Sequence, residues 1–198
     1  NGMDFDEDIS YKSREKFLEE RGLISLKDKK LIGILARLHP VKGHEIFIKA
    51  AADILATNKD IHFLITGEST EMPALDDLIK QLGIEDNVHF IGFGDAPYDI
   101  LNAIDINVLT SYSESFALLE GARLEKPTIS SAVGGIPMLI EDGENGYLFK
   151  AGDSNELSRK LSLMIEDEAR SKAMGKALYK KADKNYSLKN LALNHINI

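Results

Sequence analysis

Cysteine is absent from the 198 residues, which removes disulfides and thiolate metal sites and fits a reducing compartment. Long apolar runs are missing too. None approaches the roughly 18 residues that cross a bilayer as a helix, and the opening residues do not read as a secretory leader. Basic residues are outnumbered, 24 against 32 acidic, for a net charge of -8. Binding to nucleic acid rests on clustered Lys and Arg that neutralise phosphates, so nucleic acid is not expected as a partner. The densest basic stretches, Lys27 to Lys30 and Lys180-Lys181, read as solvated faces. An anionic ligand would therefore be held by a few local cations and by helix ends.

Several chemistry-bearing motifs are missing as well. There is no phosphate loop ending in Gly-Lys-Ser or Gly-Lys-Thr, no Gly-x-Gly-x-x-Gly after the first strand, and no nucleophilic serine elbow. His39, His44, His62, His89 and His195 show no metal-ligand spacing, and no metal site is expected. Internal repeats and low-complexity stretches are absent.

What is present is a 43% apolar fraction, ample for one continuous core, arranged in a regular alternation. Apolar β-branched runs at Leu31 to Leu35, Ile61 to Thr66, Val88 to Ile91, Ile106 to Leu109, Thr128 to Ser131 and Tyr147 to Phe149 read as strands. Between them lie segments with three- and four-residue apolar spacing. The periodicity predicts helices from about His44 to Ala56, from Pro73 to Gly83, from Pro97 through Asn102 and from Phe116 to Leu124. Asp153 and Glu156 form a capping-box pattern that opens a further helix, and Glu168 to Lys184 reads as a helix polar on one face. Alternation at this spacing requires right-handed crossovers. It predicts an α/β, Rossmann-like, doubly wound and mostly parallel sheet with helices on both faces.

Ligands of such sheets sit beyond the carboxyl ends of the strands. Four loops at that edge, Arg37 to Gly43, Gly67 to Glu71, Gly92 to Asp95 and Thr110 to Phe116, are expected to converge on one crevice. Arg37 and Lys42 leave a strand end just before a helix, where both cations can reach an anion over the sheet edge. Glu114, Ser115 and Phe116 precede another helix, whose unpaired first N–H groups and dipole can hold a second face of a diphosphate. Two ordinary surface cations and a solvated helix start are the plain alternatives.

The segments Ala36-Arg37-Leu38-His39-Pro40-Val41-Lys42-Gly43 and Glu114-Ser115-Phe116-Ala117-Leu118-Leu119-Glu120-Gly121, continuing to Gly134-Gly135-Ile136-Pro137, resemble the donor half of retaining family-4 glycosyltransferases, which have the two-domain GT-B fold. The resemblance covers nearly all of the chain. It implies that Arg37 and Lys42 contact the diphosphate of a nucleoside-diphosphate sugar of UDP, GDP or ADP type. By the same resemblance the amides near Ser115, Phe116, Ala117 and Leu118 cradle the diphosphate, Glu120 holds the ribose and Glu114 orients the sugar. Gly67 borders the donor, and Phe93 and Gly94 meet the base. No cofactor or metal is implied; Asp4-Phe5-Asp6 falls in a linker.

One departure lies within the motif. The family places seven residues between its two glutamates, whereas Glu114 and Glu120 have five between them. A two-residue loss within a helix turns what precedes it by about 200°. The shortening is expected to be absorbed in the loop or by a later helix start; if the helix keeps its length, Tyr112 stands at the first glutamate position.

The expected organisation is a linker over residues 1–12, a nucleotide-sugar domain over 13–185, and a segment over 186–198 that crosses back to an acceptor-binding N-terminal domain. The opening Asn1-Gly2-Met3-Asp4 is similar to the end of the family's hinge strand, so that domain is expected to be missing and this part alone to be inactive. The function so implied is transfer of a hexose-type sugar to a glycan or lipid-linked acceptor, as in polysaccharide biosynthesis. A cytoplasmic location is expected, with any attachment at the inner membrane face made through the missing domain. The rival reading is a non-catalytic GT-B-like structural or interaction module that has lost donor binding through its shortened glutamate loop. A related epimerase or glycan phosphorylase is a third.

Overall fold

The computed structural model describes residues 3–5, 8–67, 72–92, 97–113 and 117–187. Six strands, β1 (Lys30–Ile34), β2 (Ile61–Ile65), β3 (Val88–Phe90), β4 (Ile106–Leu109), β5 (Thr128–Ser131) and β6 (Tyr147–Phe149), form one sheet in the order β3-β2-β1-β4-β5-β6. Every neighbouring pair is parallel. The chain therefore builds outward from β1 in one direction, returns to the centre at β4 and builds outward in the other. The reversal falls between β1 and β4, and that is the switch point at which sheets of this kind open a crevice.

The helices are α1 (Arg14–Glu19), α2 (His44–Leu55), α3 (Pro73–Leu82), α4 (Pro97–Ala103), α5 (Ala117–Arg123), α6 (Ile136–Leu139), α7 (Ser154–Glu166) and α8 (Glu168–Tyr186). Residues of α2, α3 and α7 pack on one face of the sheet, around Phe47, Phe63 and Phe149. Phe47 and Phe63 meet edge to face at 5.6 Å, and full burial of each such ring is worth about 1.5–3 kcal/mol. On the other face α1 and α4 cover Leu31, Leu64 and Ile91, while α5, α6 and α8 cover Leu109.

The sequence reading placed the strands to within one residue, because each apolar run is bounded by turn formers. The differences are local. α5 is described from Ala117, and Phe116, where the sequence reading begins this helix, lies outside the described residues. The segment after Gly134-Gly135 contains the four-residue α6, too short for a periodicity to show. The capping box at α7 forms by half: Asp153 accepts from the Glu156 N–H at 2.8 Å. The Glu156 carboxylate takes the Lys150 N–H instead of the N–H of Asp153.

Two of the residues read as linker are packed into the body. Met3 and Phe5 are each 7% exposed, Met3 pairs with Ser187, and Phe5 lies edge to face on Tyr179. Among the described residues, no helix is long and apolar enough to cross a membrane.

Candidate functional site

The site is built on the two loops that flank the switch point. After β1 the chain turns through a short helical segment, Pro40–Lys42, whose start is capped by the His39 ring accepting from the Val41 N–H. Gly43 follows in the left-handed region, at φ 64°. A side chain is excluded there twice over, since a Cβ would stand 2.5 Å from the Thr110 carbonyl oxygen. The loop after β4 is laced to it. The Thr110 hydroxyl donates to the Lys42 carbonyl at 2.7 Å, and the Tyr112 N–H donates to the Val41 carbonyl at 2.8 Å. On the other side the Thr66 hydroxyl, past the end of β2, accepts from the Ala36 N–H and donates to the Ala36 carbonyl.

Arg37 is exposed and Lys42 half-buried in this laced frame. Among the described residues neither side chain makes an ion pair or a hydrogen bond. Such cations at the carboxyl edge of a sheet are available to an anionic ligand. Beyond the β4 loop, α5 opens with Ala117 and Leu118, whose side chains are buried in the core beneath it, so only their backbone N–H groups can serve a ligand.

Glu120 lies in the first turn of α5, half-buried. Burial holds its carboxyl above the usual range, and it has no hydrogen-bonding or ionic partner among the described residues. Burial without a partner favours the protonated form, which can donate as well as accept a hydrogen bond.

Gly67 stands at φ 104° and exchanges two backbone hydrogen bonds with Gly92, at 2.9 and 3.0 Å. The ends of β2 and β3 are thereby joined. Phe93 and Gly94, and likewise Glu114, Ser115 and Phe116, lie outside the described residues. Tyr112 reaches across to the turn before α7, where a Cβ at Gly152 would be 3.3 Å from its hydroxyl oxygen. Beyond β5 and β6 an open groove of about 510 Å³ is lined by Ala132, Leu148 to Ala151 and Glu156.

Thr66 and Thr110, which fix the cationic loop, were not picked out from the sequence. Their only signal is a hydroxyl directly after a strand end. Among the described residues no group of three or more His, Asp or Glu is arranged to hold a metal.

A family model described as glycosyl transferases group 1 matches residues 16–181. The chain belongs to that family. Among relatives of this group 1 glycosyltransferase chain, the N-acetyl-alpha-D-glucosaminyl L-malate synthase of Bacillus anthracis is 34% identical over 172 residues, 86% of this chain and 45% of the relative. The D-inositol 3-phosphate glycosyltransferase of Mycolicibacterium smegmatis is 30% identical over 146 residues, 71% of this chain and 34% of the relative.

Of solved structures, Anabaena Alr3699/HepE in complex with UDP and glucose superposes with a TM-score of 0.84 at 25% identity, over all of this chain and 55% of that one. The C-terminal domain of the Francisella tularensis group 1 protein LpcC superposes at 0.79 with 26% identity, over 94% of this chain and all of that one. The fold is the Rossmann-like α/β domain found in GT-B glycosyltransferases. This group 1 chain spans about half the length, or less, of the two named sequence relatives and about half of HepE.

Proposed function

We propose that this chain is the donor-binding, C-terminal half of a retaining glycosyltransferase that takes its sugar from a nucleoside diphosphate, with UDP as the first candidate. The observation that carries the reading is the pair of uncommitted cations on one laced loop at the switch point. Arg37 can offer a planar fork to phosphate oxygens, and Lys42 a compact charge. Together they would stabilise the diphosphate as charge develops on it when the bond to the sugar breaks. The N–H groups of Ala117 and Leu118 would hold its other face, and Glu120, half-buried and without a partner among the described residues, would accept the ribose hydroxyls. Glu114 is assigned to the sugar, and Phe93 and Gly94 to the base, by resemblance alone.

Two comparisons support this division. One superposition, over 94% of this chain, is with a domain that is itself C-terminal, and another, over all of this chain, is with a protein bound to UDP and glucose. The general base and the acceptor pocket would belong to the other half. The acceptor, a glycan or a lipid-linked sugar, is chosen there.

Calorimetric titration with UDP, GDP, ADP and their sugars tests the reading. One nucleotide should bind, and Arg37→Ala or Lys42→Ala should each weaken it by about 2–5 kcal/mol. If no nucleotide binds, the non-catalytic module replaces the enzyme. Sugar transfer by these 198 residues alone would overturn the division into two halves.

A further inference from the structure

His62 on β2 and His89 on β3 are 27 residues apart in sequence, and the sheet brings them together. Their facing nitrogens, Nδ1 of His62 and Nε2 of His89, are 3.1 Å apart. The rings lie at a centroid distance of 5.3 Å with planes 27° apart. The parallel register sets Leu64 beside His89, and alternation puts His62 on the same face as Leu64. This is the face covered by α1 and α4, and both rings remain half-exposed at its rim.

We propose that His62 and His89 form a two-imidazole site for a divalent transition metal of the copper, nickel and zinc group. Two nitrogens bound to one metal at about 2.1 Å stand about 3.0 Å apart when they subtend a right angle and about 3.4 Å in a tetrahedron. The observed separation falls between these, while the 5.3 Å between ring centres shows that the two nitrogens now point nearly at each other, so each imidazole turns about its side-chain bonds to aim its lone pair at the ion. No proton has to be lost from the pair. The hydrogen now shared between the rings moves to the outer nitrogen of its own imidazole, which frees both inner lone pairs for the ion.

Both rings are neutral ligands at pH 7; the burial that lowers their proton affinity, His89 to about 4, also disfavours positive charge there, and nearby carboxylates work against it. Asp60 acts on His62 and Asp86 on His89 with the charge that attracts a metal. Lys29 opposes them at His62, but is itself paired with Asp60 at 2.6 Å. No third His, Asp or Glu joins the pair among the described residues, so the remaining coordination positions fall to water. Such a bond would pin β3, the edge strand, to β2. It would do so on the sheet surface rather than at the carboxyl edge where Arg37 and Lys42 lie, so it stands or falls independently of donor binding.

Titration of the untagged chain with copper(II), nickel(II) and zinc(II), each alone, is the test. One equivalent should bind. His62→Gln and His89→Gln should each weaken binding about 10–100-fold, at least what loss of a ligand's outer partner costs, while the double variant His39→Gln/His195→Gln keeps it. The copper(II) spectrum of the unaltered chain should show coupling to two nitrogens, a readout that does not depend on the variants folding. No binding at millimolar metal, equal binding by the His62 and His89 variants, or a spectrum without two nitrogens would overturn the proposal; the contact is then a ring-to-ring hydrogen bond and no more.

Discussion

The Lys42 carbonyl accepts the Thr110 hydroxyl at 2.7 Å, and this bond ties the cationic loop after β1 to the loop that feeds α5. The alignment of Lys42 with the start of α5 is thus set by a hydroxyl-to-carbonyl contact between residues 68 positions apart, and among the described residues the ammonium itself has no partner.

Gly43 is where that tie is most easily broken. Gly43→Ala forces a Cβ against the Thr110 carbonyl at a left-handed φ, which should cost about 2–3 kcal/mol of stability. Thermal unfolding measures the loss. Nucleotide titration well below the unfolding temperature, where both proteins are folded, should still show weaker binding by the variant, because Lys42 moves with the loop.

Acid should weaken the fold through its histidines. Burial pulls His44 down from 6.5 to about 4, and burial followed by the nearby His62 pulls His89 to about 4. Groups depressed in this way are neutral when folded and bind protons once unfolded, so stability is complete above pH 6.5 and falls as pH drops toward 4. Each pH unit of depression corresponds to about 1.4 kcal/mol, giving a total on the order of several kcal/mol. Glu120, raised by burial, works in the opposite sense. Denaturant midpoints measured from pH 7 to 4 should fall, and less steeply in His89→Gln; a flat profile would contradict the assignment.

Asn107 is fully buried on β4 with neither amide atom hydrogen-bonded. Asn107→Leu keeps the branched outline and removes two orphaned polar atoms, so stability should rise by about 1–3 kcal/mol. Its Nδ2 lies 2.6 Å from where a Cβ would stand on Gly121; Gly121→Ala should therefore destabilise the unaltered chain. Urea midpoints of the two variants, shifted in opposite directions, are the check.

Glu125, in the turn between α5 and β5, sits at φ 53°, the only positive value at a non-glycine position among the described residues. Glu125→Gly relieves that strain and should gain about 0.5–1 kcal/mol. By contrast, Gly175→Ala on α8 would put a Cβ 2.0 Å from the Glu125 carbonyl oxygen and should lose about 3 kcal/mol. Melting temperatures of the two variants separate these outcomes.

The sheet was legible because its signal is local. Ile106 to Leu109 and Thr128 to Ser131 are short segments with apolar or β-branched residues at Ile106, Val108, Leu109, Thr128 and Ile129, and each is the strand the structure contains. α1 carries no comparable signal. Only Phe17 and Leu18 of its six residues are buried, and their burial depends on α4, some eighty positions away. The candidate site divides in the same way: Arg37, Lys42 and Glu120 could be named from short motifs, whereas Thr66 and Thr110 act through partners 30 and 68 positions distant. The meeting of His62 with His89 likewise needs the β2–β3 register, which spacing along the chain does not reveal.

The reciprocal bonds between Gly67 and Gly92 cross-link two strands just past the point where their parallel ladder stops. The ends of β2 and β3 therefore share one anchor, and an alteration that unfastens either glycine would release both strand ends at once.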